Sequence, residues 1–242
     1  MTDRVPERWQ QNDVMLRYSS GTSAHVVGAW LVALIIAAPV ACISAPSTND
    51  GARVGDQTST SHIVAGALTH PELRDELLEM MAADQLERTG GGLPQGTPVP
   101  PSQDYVRALR LEQIVEEHGW PTFAMVSEDG STAAWVIAQH ADFDVDLQFR
   151  FLSLVEAAVE DGQADVTEMA YLWDRVAVNR DLPQRYGSQV RCRQGEPMPA
   201  TPIEDADEVD LRRAEVGMSS LDVYYEELAM MCAQEDAEGA GG

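Results

Sequence analysis

The stretch that most constrains the fold is Gly119 to Asp142, GWPTFAMVSEDGSTAAWVIAQHAD. Gly119 reads as the stop of a preceding helix, and Trp120-Pro121 leads into a short strand. A Ser-capped helix follows that is apolar on almost every side, through Ala133, Ala134, Trp135, Val136, Ile137 and Ala138. A helix without a polar face belongs in the middle of a domain, so its neighbours have to pack around it. Its far end is polar, with Gln139, His140 and Asp142. Those groups must be satisfied inside the fold or face a cleft.

The flanking pattern is helical. Thr69-His-Pro-Glu72 has the form of a capping box with Pro just inside the helix. The stripe after it holds Leu73, Leu77, Met80 and Met81, continues with Asp84, and places Arg88 in i,i+4 reach of that carboxylate. A Gly/Pro-rich connection, Gly90 to Pro101, precedes a helix from about Asp104 to His118 that buries Leu111, Ile114 and Val115. Asp144 to Glu160 predicts another, with Leu147, Phe151, Leu154, Val155 and Ala158 inward. Asp165-Val-Thr-Glu168 is a second capping box, opening a helix with Met169, Leu172, Trp173 and Val176 inward.

Between Leu182 and Ala200 prolines and glycines break any helix. Tyr186 to Arg191, followed by Gln194-Gly195, predicts a small β-hairpin or a pair of extended loops. Asp205 to Val216 is helical, and Ser219-Ser-Leu-Asp222 opens a last helix to about Cys232. The pattern predicts a mainly α single globular domain over residues 62–233. It has about seven helices and a small β-hairpin or extended-loop element. An acidic, disordered tail covers 234–242.

Residues 1–25 are polar and mixed in charge, whereas Val26 to Ile43 is an uncharged apolar run with the length of a signal h-region or a membrane anchor. Arg17 precedes it, and a start at Met15 would supply the short basic region of an export signal. Val40-Ala41-Cys42 resembles a bacterial lipobox in which Cys42 is lipidated, although Pro39 stands where that motif usually has Leu. Cleavage near Ile43-Ser44-Ala45 and an uncleaved anchor are the alternatives. Residues 44–61 are a disordered linker rich in Ser, Thr, Gly, Asp and Pro. Together these segments predict an exported domain in the cell envelope, held by lipid or by a single span, or secreted.

The formal net charge is −24, and all sixteen positive charges are Arg, with no Lys in the chain. Residues 1–45 balance, with Arg4, Arg8 and Arg17 against Asp3, Glu7 and Asp13, so the excess of acid lies beyond them. Such a surface repels phosphate backbones, which excludes a nucleic-acid partner. The absence of Lys excludes Schiff-base chemistry and a P-loop.

His140 and Asp142 are the candidate catalytic pair, His140 as general base with Asp142 or Asp84 orienting its ring. The competing reading is a core histidine that holds loops by hydrogen bonds. No Cys pair has zinc spacing, His-Glu-x-x-His is absent, and His25, His62, His70 and His118 form no ligand pattern, so no metal or cofactor is assigned. His140 with Asp142, Asp84 and Asp174 could hold a divalent ion only if the fold gathers the carboxylates. There is no Gly-x-Ser-x-Gly elbow. Cys192 and Cys232 either pair in an oxidising compartment or remain core thiols. The groups Asp84/Arg88, Asp174/Arg175 and Asp210/Arg212/Arg213 either grip an anion or tie helices together, and the second use is commoner. Tyr186 and Gln189 either face a ligand from a loop or serve the core. Asp84, Arg88, Asp174, Arg175, Tyr186 and Gln189 are therefore the candidate ligand-binding set. The partner would be a small molecule or an envelope protein.

These motifs stand in a recognisable order: Asp84-Gln85-x-x-Arg88, Gly119-Trp120-Pro121, Gln139-His140-Ala141-Asp142, Asp174-Arg175-Val176, Pro183-Gln184-x-Tyr186-Gly187-Ser188-Gln189, Pro202-Ile203-Glu204-Asp205 and Val209-Asp210-x-Arg212-Arg213. In this order the chain resembles an uncharacterised bacterial family, a domain of unknown function, from about Pro71 to Tyr225. Ser188 stands where that family has Thr. The resemblance implies one domain whose polar positions belong together, and it implies no activity.

Overall fold

A computed structural model of the chain describes residues 67–88 and 103–239. The segment 1–25, the apolar run 26–43 with Cys42, the linker 44–61, the Gly90 to Pro101 connection and residues 240–242 lie outside the described residues. Five helices come first: α1 Pro71–Arg88, α2 Asp104–His118, α3 Phe123–Gln139, α4 Val145–Glu160 and α5 Val166–Asn179. The strands β1 Val190–Arg193 and β2 Glu196–Pro199 follow, then a 3-10 turn at Ala206–Glu208, α6 Val209–Glu215 and α7 Leu221–Gly239. Among the described residues these are seven helices and one antiparallel hairpin, the mainly α architecture that the pattern predicts. No helix among them is long and apolar enough to cross a membrane.

Helix α3 is the axis. Every residue of it from Gly130 to Gln139 is buried except Thr132, which is half-buried. It packs most extensively on α1 and also meets α2, α4 and α5. The shared core includes Leu77 from α1, Leu111 and Ile114 from α2, Phe151, Leu152 and Val155 from α4, and Leu172 and Val176 from α5. Gly130 lets the α1 side approach, since a Cβ there would stand 2.8 Å from Val126 Cβ and 3.2 Å from Arg74 Cγ.

The start of α3 differs from the strand expected before it. Phe123 to Val126 form a helical turn, Ser127 then adopts φ 66° and ψ 173°, and the helix resumes at once. The reason lies in hydrogen bonding. The carbonyls of Ala124 and Met125 accept from the N–H groups of Thr69 and His70 at 3.2 and 3.0 Å, so the turn anchors the approach to α1. Gly119 ends α2 as expected, at φ 77°, with its N–H on Val115 O at 3.0 Å.

Side-chain caps fix the next two helices. Asp144 accepts from Leu147 N–H at 3.0 Å, and Asp165 accepts from Thr167 and Glu168 N–H at 2.7 and 2.9 Å. In the hairpin Val190 faces Pro199 and Arg193 faces Glu196. Gln194 and Gly195 both have positive φ, 55° and 77°, the two-residue turn that matches strand twist. Cys192 on β1 is disulfide-bonded to Cys232 on α7, which decides between pairing and free thiols. α7 runs on to Gly239, past the Ala233 at which the sequence reading closed the domain. The segment Ala233-Gln-Glu-Asp-Ala-Glu consists largely of residues that tolerate an exposed helix well.

Gly130→Ala tests the α1–α3 contact. Ala is the better helix former, by about 1 kcal/mol, yet its Cβ would collide with Val126 in the first turn of α3 and stand only 3.2 Å from Arg74 Cγ of α1. A net loss of about 1 to 3 kcal/mol in urea unfolding is expected. An unchanged or higher midpoint would show that the packing of Gly130 against Val126 and Arg74 has room to spare.

Candidate functional site

The last turns of α1, the first turn of α2 and the last residue of α3 bring charged side chains together. Asp84 lies on the apolar stripe of α1, after Leu73 and Leu77, and is wholly buried. Its Oδ1 receives His140 Nδ1–H at 2.9 Å and Arg88 Nη2 at 3.1 Å, and its Oδ2 receives Gln85 Nε2 at 2.9 Å and Arg88 Nε at 3.2 Å. Arg107 Nη2 stands 3.5 Å from Oδ1. Arg88 and Arg107 both donate to Asp104 Oδ1 at 2.8 Å, and Arg107 also holds Glu87 through two bonds, 3.0 and 2.9 Å. Burial alone would push the Asp84 carboxyl up. The hydrogen bonds and charges of His140 and Arg88 overcome it and hold it down at about 2.

This arrangement fixes the imidazole. Arg88 Nε lies 3.1 Å from His140 Nδ1, but it also has Asp84 Oδ2 as acceptor. An unprotonated Nδ1 would set two lone pairs against each other at 2.9 Å from Asp84 Oδ1. The proton therefore sits on Nδ1, and Nε2 meets no hydrogen-bond partner among the described residues. His140 is 7% exposed, and its ring is held by side chains of α1. Tyr105, next to Asp104 in the chain, and Phe143, three residues after His140, are exposed, and their rings meet edge to face with centroids 5.2 Å apart.

Asp142 belongs to a second network. Its carboxylate is gripped by Arg175 through Nε, at 2.9 Å, and Nη2, and also receives Asn179 Nδ2 at 2.8 Å and Gln148 Nε2 at 3.1 Å. Burial raises this carboxyl, and Arg175 more than reverses it, with Asn179 and Gln148 adding to the downward pull. Gln148 also donates to the carbonyls of Ala138 and Gln139, at 3.2 and 3.1 Å, which closes the C-terminal end of α3. Arg175 continues to Gln189 Oε1 at 3.3 Å.

Asp174 forms a third centre, facing away from Arg175. Fully buried, it accepts the backbone N–H groups of Arg185, Tyr186 and Ser188 at 2.7, 3.1 and 2.7 Å and so shapes the loop before β1. Tyr186 is buried against Trp173, and Gln189 is buried with its amide on Ser188 and Tyr171. Arg212 and Arg213 donate to carbonyls of the same region, Arg213 to Tyr186 O at 2.8 Å, while Asp210 receives Leu221 N–H at 2.8 Å at the start of α7.

Of the sequence candidates, the structure thus brings together Asp84, Arg88 and His140. Asp142, Arg175 and Gln189 form a separate set, and Asp174 and Tyr186 a third. Asp104, Arg107 and Glu87 escaped the sequence reading. Arg107 had a readable signal, since it shares the buried face of α2 with Leu111 and Ile114, where a guanidinium needs a carboxylate. Cys192 and Cys232, spent on the disulfide, are not nucleophiles. One ligand atom each from Asp84, Asp104 and His140 lies within 4.8 Å of the others. A divalent ion there would stand beside the Arg88 and Arg107 guanidiniums that already occupy those oxygens, so like charges oppose it.

Residues 71–236 match the model of a family of unknown function, DUF6624. No curated protein and no solved structure matches the chain.

Asp84→Ala removes the buried counter-charge of two guanidiniums, and an unfolding loss of about 3 to 5 kcal/mol is expected. Acid titration gives a second check. Because the folded carboxyl sits at about 2 rather than 3.8, its contribution is fully present above the unfolded value and is lost as pH falls through the folded one. Asp84→Asn should flatten the stability curve in that window; a curve as steep as the wild type's would contradict the assignment.

Proposed function

The chain belongs to the DUF6624 family of unknown function, and we propose that it acts as a ligand-binding module centred on His140. The observation that carries this reading is the state of the imidazole: Nδ1–H is fixed by buried Asp84, and Nε2 has no partner among the described residues. Such a ring is a preoriented acceptor for a hydroxyl or N–H donor, and little freedom remains to be lost on binding. Half-exposed Arg88, with Nε 3.1 Å from His140 Nδ1, adds a cation at the ring, and Phe143, three residues further along the chain, forms an exposed aromatic pair with Tyr105. A ligand with one donor group and one hydrophobic face matches those surroundings.

The second reading is a hydrolase or transferase in which His140 Nε2 takes a proton while Asp84 steadies the ring. Asp142, expected in that role, is committed to Arg175. The binding reading leads because no hydroxyl or thiol is hydrogen-bonded to His140 among the described residues, so a protein nucleophile has no place beside the base.

We further place the domain outside the cytoplasm, held to the membrane through the apolar run 26–43 or a lipid on Cys42. The support is the export-like sequence pattern and the Cys192–Cys232 disulfide, a bond that persists in oxidising compartments.

A fragment screen by ligand-observed NMR, run on the wild type and on His140→Gln, tests the site. Gln keeps a donor for Asp84, so the variant should melt within a few degrees of the wild type. Fragments bearing a hydroxyl or amide next to a ring should bind the wild type and lose at least about tenfold in affinity with the variant. If no fragment responds to the substitution, His140 is scaffold. Turnover of chromogenic ester or phosphate panels that His140→Gln abolishes would establish the catalytic reading instead.

A further inference from the structure

A cleft of about 510 Å³ opens at the other end of α3 from His140, between the start of that helix, the end of α4 and the start of α5. Phe123, Val159, Ala164 and Val166 supply its apolar wall, and Thr132 and Glu168 lie together on its polar side. Thr132 Oγ1 donates to Glu168 Oε1 at 2.6 Å, and the second carboxyl oxygen meets no donor among the described residues. In a capping box Glu168 would reach back to the N–H of Asp165. Here it turns into the cleft, although Asp165 does cap the helix.

We propose that this cleft binds an organic ammonium ion, with the cation on Glu168 and the hydrocarbon body on the wall of Phe123, Val159, Ala164 and Val166. The charged groups that line it are Glu168, Glu128 and Asp165, with no arginine among them. An anion is therefore repelled, and the free N–H groups at the start of α5 are already taken by Asp165. Calcium takes six to eight oxygen ligands and zinc prefers nitrogen or sulfur, and this half-apolar lining, without His or Cys, offers neither set. An ammonium group satisfies the unpaired carboxyl oxygen, and its apolar substituent fills the remaining volume.

The protonation state of Glu168 supports the same chemistry. Burial pushes its carboxyl up to about 7, with the Thr132 hydroxyl opposing and the Asp165 charge adding to the rise. A cation arriving beside it favours the ionised form, so binding releases a proton and strengthens as pH rises. Glu128 and Asp165 contribute charge to the cleft, and Glu168 supplies the titration.

Calorimetric titration of the full chain with benzylamine, benzyl alcohol and benzoate tests this directly, because the three share one ring and differ in charge. Benzylamine should bind saturably, benzyl alcohol at least about tenfold more weakly, and benzoate not at all. Benzylamine affinity should fall at least about tenfold from about pH 8 to about pH 5. It should also fall at least about tenfold in Glu168→Gln, which keeps an oxygen for Thr132 and has no charge to desolvate. No saturation by about 10 mM benzylamine, equal binding of the alcohol, or unchanged binding to Glu168→Gln would each overturn the proposal. The comparison of amine with alcohol needs only the wild type, so it decides the matter even if the variant folds poorly.

Discussion

Helix α3 is closed to water from Gly130 to Gln139, where only Thr132 is half-buried, and a stretch without a wet face obliges every neighbour to press an apolar stripe against it. That obligation explains the architecture. α1, α2, α4 and α5 each present a leucine-rich or phenylalanine-containing face to the same axis. It also explains why the polar chemistry gathers where the axis ends. Inside the bundle a hydrogen-bonding group needs a dedicated partner, and the side chains near His140 and Gln148 are those partners.

The ends of the axis are managed in different ways. At the C-terminal end, carboxylates and guanidiniums alternate, Asp84 against Arg88 and Arg107, Asp142 against Arg175. A buried ion pair contributes little net stability, but removing one member leaves an uncompensated charge, so such sets specify geometry more than they add strength. The N-terminal side has an open cleft and a carboxyl with one hydroxyl donor. Beyond α5, Asp174 performs for a loop what a cap performs for a helix, taking three backbone N–H groups on one carboxylate.

How much of this was legible in the sequence depends on how local the cause is. The all-apolar run of α3, the Asp165 cap, the Gln194-Gly195 hairpin turn and the Asp84–Arg88 pair all rest on spacings within a few residues, and each is found. The turn at Phe123 to Val126 was read as a strand because its partner, the backbone at Thr69 and His70, lies far away in the chain. The carboxylate beside His140 was ambiguous for the same reason. Asp142 is two residues away yet turns to α5, whereas Asp84, 56 positions distant, holds the ring. Nothing local distinguishes Asp174, whose partners are backbone groups of a loop, from Asp142, whose partner is an arginine.

The disulfide between Cys192 and Cys232 spans 40 positions and encloses the hairpin turn, α6 and most of α7 in one covalent ring. A peptide bond cut anywhere inside that ring opens it without freeing a fragment. The exposed turn at Gln194-Gly195 and the loops around α6 can therefore be nicked while both new ends stay tethered to the bundle. In a protease-rich setting, the C-terminal part would be worn down by second cuts, not lost at the first.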